Sequence, residues 1–157
     1  MTKVLLAAHV LAVIVAIGPV AVAASMFPPA IRRAADSDDA ADRSVAVVLH
    51  RICRVYAWIA VAVPVLGVGT ASSMGVLGSP WLIASMVLTI AAAAVLGLLV
   101  LPAQSGFLTA AQAPPGEALA VAARVSGRLA MHTGIFNLLW AIVTVLMIVR
   151  PGSSTGA

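Results

Sequence analysis

Three long runs of this chain carry no charge, and nothing else in the sequence constrains its fold as strongly. No Asp, Glu, Lys or Arg occurs between Val4 and Ile31, between Val55 and Gly116, or between Leu129 and Val149. A soluble domain keeps charged side chains on its wet surface, yet only 9% of these residues are charged while 62% are apolar. The mean hydropathy is +1.13. Lipid, rather than water, is the expected solvent for most of these side chains.

A helix needs roughly 20 apolar residues to cross a hydrocarbon layer about 30 Å thick, because each residue rises about 1.5 Å. Four stretches qualify: Val4 to Ala24, Ile52 to Val68, Trp81 to Leu101, and Leu129 to Val149. Open strands leave backbone polar groups unpaired in lipid, and a barrel needs alternating polar positions that runs such as Ile90 to Leu101 lack. The expected fold is all-α, a single four-helix transmembrane domain with connections at 25–51 and 102–128 and a tail at 150–157. Cys53 is the single cysteine, so no disulfide framework or cysteine-rich metal site is available. The pI is about 10.7, but the formal charge is only +4 and its basic residues flank the spans. That placement points to a lipid bilayer, not to nucleic acid.

Basic residues near span ends favour the cytoplasmic side. Arg32, Arg33, Arg43, Arg51 and Arg54 surround the first connection, and Arg124 and Arg128 lie in the third. Only Lys3 and Arg150 lie on the other side. Seven against two places both termini outside the cytoplasm of a bacterial cytoplasmic membrane. A second reading takes Lys3, the apolar stretch and Val22-Ala23-Ala24-Ser25 as a cleavable signal peptide, which would leave three spans.

Prolines punctuate the chain. Phe27-Pro28-Pro29 is expected to close the first helix, Pro64 to bend the second, and Gly67 and Gly69 to fray its end. Pro80 and Pro102 are expected to bracket the third, and Ala113-Pro114-Pro115-Gly116 to break the chain again. Asp36, Asp38, Asp39 and Asp42 mix with arginines in a short solvated loop. Each helix carries small or polar residues at three- or four-residue spacing. The series are His9, Ala12, Ala16, Ala23; then His50, Cys53, Ala57, Ala60, Pro64, Gly67; then Ser85, Thr89, Ala93, Gly97; and finally Gly127, Ala130, Gly134, Asn137, Ala141, Thr144. Small residues let helices approach closely in lipid, so the four stripes are expected to face one another.

Few residues offer chemistry. Intramembrane histidines can ligate haem b or copper or relay protons. His9 and His50 share small-residue faces but differ in depth, whereas His50 and His132 share a depth but not a face. His50 and Cys53 lie one turn apart, a spacing that suits a soft ion such as copper(I), with Met131 at a similar depth. The plainer alternative for all three histidines is a hydrogen-bonded structural role, and for Cys53 a small packing residue. Arg124, Arg128 and His132 recur every four residues, with Glu117 near the same sector. They suit a wet face against anionic head groups better than an anion gate, and Arg51 and Arg54 are expected to reach the same surface. Asn137 is the most polar group within the fourth span; it is expected to bond across the bundle to Ser85 or Thr89. Trp81 fits an interfacial position, with Trp58 and Trp140 near the interface or lipid. No intramembrane acid, phosphate-binding glycine loop or nucleophile–base pair is present.

His9-Val10-Leu11 with Gly18, the entry from Pro29 to Arg33, Trp81 to Leu88 with Gly97 to Pro102, and the ending Met147 to Pro151 form a pattern. It resembles a family of small, uncharacterised four-helix bacterial integral membrane proteins. Their histidine–glycine first-helix pattern is similar to that of CopD-like copper-resistance membrane proteins. The chain has Ala16-Ile17-Gly18-Pro19 where family members often carry Trp-x-Gly-Gly. Only His9 and Gly18 carry over, and the resemblance implies no catalytic role. The expected function is a non-enzymatic accessory or structural membrane component, associated with other membrane proteins or with itself. A haem- or copper-binding protein is the alternative, and a small transporter the third class.

Overall fold

The computed structural model describes residues 2–37, 39–112 and 115–152. Asp38, the Ala113–Pro114 break, the Glu117 side chain and the tail from 153 onward lie outside the described residues. Six α-helices and one π-helical segment, without strands, make up the described part. They are α1 (Thr2–Ser37), α2 (Ala40–Ile59), α3 (Ala62–Ser73), α4 (Pro80–Ala94), a π segment (Val95–Val100), α5 (Leu101–Ala110) and α6 (Pro115–Val149). They group into four helices long and apolar enough to cross a membrane: Lys3–Ser37, Ala40–Ser73, Pro80–Ala110 and Leu119–Val149.

The first helix does not stop at Pro28-Pro29, contrary to expectation. It runs on to Ser37 with Pro19, Pro28 and Pro29 inside it. Each proline removes one amide donor. Packing compensates: Ala30, Ile31 and Ala34, just past the pair, are buried in the bundle. The turn into α2 is fastened by Asp39, whose side chain accepts from the Ala41 amide at 2.9 Å, and by Ser37, which donates to Asp42 at 2.6 Å.

Pro64 acts as expected. The helix breaks at Ala60–Val61, one turn before the ring, where the proline excludes the usual carbonyl geometry. Beyond it α3 continues through Gly67 and Gly69 to Ser73, so these glycines do not fray it. Pro102 likewise fails to end its helix. The backbone widens into the π segment, where the Leu101 amide bonds the Leu96 carbonyl, and then resumes as α5. This extra residue sets the rotation of α5, which turns Gln104 and Phe107 inward beneath Leu96 and Val100.

The α2–α3 arm packs on α1, α1 on α6, and α6 on the α4–α5 arm; α5 meets α2 and closes the ring at the charged end. The core is densest there. Phe27 and Phe107 meet edge to face, 6.4 Å between centroids, among Ile31, Leu49, Val100 and Leu129. A smaller cluster of Ala71, Trp81 and Leu82 closes the opposite end. Only 11–22% of the most apolar window of each helix is buried within the bundle. Exposed Leu11, Ile14, Val65, Ile90, Leu98 and Ile148 form an outer sheath suited to hydrocarbon.

The small-residue stripes face inward only in part. On α1, Ala16 and Ala23 are buried as expected. On α6 the stripe points out: Gly127, Ala130, Gly134 and Ala141 are exposed, while Leu129, Thr133, Phe136 and Val143 fill the interior. On α4 Ser85 is buried, but Ala93 and Gly97 are exposed and Ala92 and Leu96 point in. The interior has to be filled to crystal-like density around Phe27, Phe107 and Phe136, and large side chains do that.

Candidate functional site

The most connected polar group lies between α2 and α5. His50 and Cys53, one turn apart, project to the same side, and the fully buried Gln104 stands between them. Gln104 Oε1 is 3.0 Å from His50 Nδ1, and its Nε2 donates to Cys53 Sγ at 3.7 Å. A carbonyl oxygen only accepts, so Nδ1 is the donor of this bond and Nε2 is the ring nitrogen turned away from the amide. Cys53 is fully buried. A histidine whose second nitrogen is held by an amide, beside a thiol, is the arrangement that outer hydrogen bonds give to metal-ligating histidines. Among the described residues no group of three or more His, Cys, Asp or Glu side chains gathers in one place. Met131, weighed as a further ligand, is exposed.

His9 lies in the other half of the molecule. Its Nδ1 is 3.0 Å from the Val63 carbonyl, across from the break before Pro64. Val63 stands thirteen residues beyond His50 along α2–α3, about 20 Å of helix at 1.5 Å per residue. His9 and His50 therefore lie at different depths of the bundle. Gly67 makes the close approach possible: a Cβ there would sit 3.1 Å from His9 Cε1.

Asn137 does bond across the bundle, but not to the expected partners. Its Nδ2 donates to the Ser25 hydroxyl oxygen on α1 at 3.1 Å, and that hydroxyl donates in turn to the Ala21 carbonyl at 2.7 Å. Ser85 and Thr89 instead donate to the carbonyls of Trp81 and Ser85 in their own helix. A serine or threonine in a helix has a carbonyl four residues back within reach, and that local bond wins over a distant amide. Nearby, Arg32 Nε donates to the buried Ser126 hydroxyl at 3.0 Å, tying α1 to α6 a second time. A groove of about 290 Å³ lies between these two ties.

At the charged end Arg51, Arg54, Arg124 and Arg128 are all exposed, whereas His132 is half-buried with its Nδ1 unpartnered. His132 is therefore set apart from the arginines by rotation, although it recurs with them along the helix.

Sequence reasoning passed over Gln104, Ser25, Ser126 and Thr133, and counted Arg32 only as a charge. A signal for Gln104 existed: it is an amide side chain in a stretch otherwise apolar or hydroxylic from Trp81 to Ala111. The chain matches no protein-family model, no curated protein and no solved structure.

Proposed function

We propose that this chain is a non-enzymatic, multi-pass accessory component of a bacterial cytoplasmic membrane, with both termini outside the cytoplasm. One observation carries the reading. Four polar contacts each join two helices: His9 to the Val63 carbonyl, His50 through Gln104 to Cys53, Asn137 to Ser25, and Arg32 to Ser126. Bonds of this kind hold a membrane bundle together. The exposed small-residue face of α6 suits close contact with another membrane helix. The test is extraction from native membranes in a lipid-preserving polymer, followed by quantitative composition. A membrane partner, or a second copy, at fixed stoichiometry is expected; a lone monomer overturns the accessory role. Reporter tags at the two ends read the topology, and tags found inside the cell overturn it.

A second reading is favoured by Gln104. With its amide between His50 and Cys53, these two residues form a soft pair able to take copper(I). Competition titration of the purified full chain with copper(I) tests it: equal affinity for wild type and Cys53→Ser eliminates the site.

A further inference from the structure

The groove between α1 and α6 has the features of a built ligand site. Pro28 and Pro29 have no amide hydrogen, so the carbonyls of Ala24 and Ser25 lack the donors a continuous helix would supply. Across from them α6 presents Ala130 and Gly134. A Cβ added at Gly134 would meet nothing within 4 Å. The helices do not close here, and exposed Ser25, Pro29, Arg32 and Gly134 leave the space open sideways, where lipid lies.

Its lining is polar and incompletely satisfied. Thr133, only 2% exposed, has a buried hydroxyl with no partner among the described residues, and the same holds for Asn137 Oδ1. Native buried polar atoms are nearly always paired, so each of these points to a missing group. Asn137 Oδ1 can only accept, and its amide nitrogen is already bonded to Ser25, so the missing group must donate. Among the described residues the one charge on the groove is Arg32, whose Nε is held by Ser126 while the remaining guanidinium donors are left for an anion, and none of its described lining residues is acidic. Arg32 meets α6 at Ser126, toward the charged end of the bundle, and Thr133 and Asn137 lie about two and three turns deeper along that helix.

An anion at the interface with a hydroxyl donor on its deeper, tail side is the chemistry of a lysophospholipid. Its phosphate sits beside a glycerol hydroxyl that carries no acyl chain. A diacyl lipid offers only ester acceptors at that depth, which could take the Thr133 hydroxyl proton but would leave Asn137 Oδ1 without a donor. We propose that this groove binds an anionic lysophospholipid, with the phosphate on Arg32, the free glycerol hydroxyl on Asn137 and Thr133, and the single acyl chain against the outward small-residue face of α6. The acyl chain takes the same outward face of α6 that the accessory role gives to another membrane helix, so the two are expected to compete there.

The test is binding of lysophosphatidylglycerol to the full chain in nanodiscs of zwitterionic diacyl lipid. Dioleoylphosphatidylglycerol, lysophosphatidylcholine and inorganic phosphate serve as comparison probes. Lysophosphatidylglycerol is expected to bind about tenfold tighter than the diacyl lipid, which lacks the free glycerol hydroxyl, and than inorganic phosphate, which lacks that hydroxyl and the acyl chain. Lysophosphatidylcholine keeps phosphate and hydroxyl and is expected to lose less, through the choline charge that offsets its phosphate. Gly134→Leu, which fills the groove, and Arg32→Gln are each expected to weaken it by about tenfold or more. Thermal unfolding of both variants checks that the bundle persists, and Asn137→Asp, which keeps an acceptor but adds repulsion, should also weaken binding. Equal binding of the diacyl lipid or of inorganic phosphate overturns the lysolipid assignment. Wild-type affinity in folded Gly134→Leu overturns the groove, as does a change confined to self-association, which would make it a contact between copies.

Discussion

His9 donates from Nδ1 to the Val63 carbonyl at 3.0 Å, and the edge of its ring lies where a side chain at position 67 would begin. One glycine and one histidine thus set how closely α1 approaches α3. The ring is confined by a hydrogen bond on one side and by bare backbone on the other.

Gly67→Ala should therefore destabilise the bundle through His9. The new Cβ at 3.1 Å from Cε1 forces the ring aside and strains its bond to Val63. A loss of about 1 kcal/mol is expected for Gly67→Ala, and a similar loss for His9→Ala. The double variant should cost clearly less than the two together, because the smaller side chain at position 9 removes the clash. Reversible unfolding in mixed micelles measures all three, and strict additivity would refute the coupling.

Gln104→Leu should cost more than Cys53→Ala. The leucine leaves His50 Nδ1 buried against an apolar surface, at about 1–3 kcal/mol, whereas the alanine removes one weak sulfur acceptor and some packing. Without the amide that donates to its sulfur, Cys53 should also react more slowly with a membrane-permeant thiol reagent, because the thiolate is the nucleophile. Unchanged labelling kinetics in folded Gln104→Leu would show that the amide does not act on the thiol.

A double-mutant cycle on Ser25→Ala and Asn137→Leu should return a coupling of about 0.6 kcal/mol, typical of polar pairs within membrane helices. The pair Ser85→Ala and Asn137→Leu should return none, because Ser85 bonds to its own helix. Coupling at Ser85 but not at Ser25 would contradict the observed pairing.

Arg150 lies over the Trp81 ring with its Cζ 5.7 Å from the centroid, so Arg150→Ala should expose that indole. In a background with Trp58 and Trp140 replaced by phenylalanine, the emission of Trp81 is expected to shift to the red. The stability change should stay within about 1 kcal/mol, as for an exposed cation–π contact. An unshifted spectrum would place the guanidinium elsewhere.

The membrane-spanning character and the number of long helices were legible in residue order, because transfer to lipid sums over a contiguous run and needs no knowledge of neighbours. The break before Pro64 was legible for the same reason, since proline chemistry acts within one turn. Which way each helix faces was not. In lipid both the inside and the outside of a bundle are apolar, so an amphipathic pattern does not mark the inner face. The α6 stripe from Gly127 to Ala141 therefore looked like a packing seam although Leu129, Phe136 and Val143 take the interior. Pro28, Pro29 and Pro102 read as stops, and burial of Ile31 and Phe107 just beyond them carried the helices through. The meeting of Gln104 with His50 and of Asn137 with Ser25 depends on the rotation set by the π segment and by the packing around Phe27, Phe107 and Phe136. Those rotations are properties of the assembled core, decided by how large side chains fill a shared space. No single helix contains them.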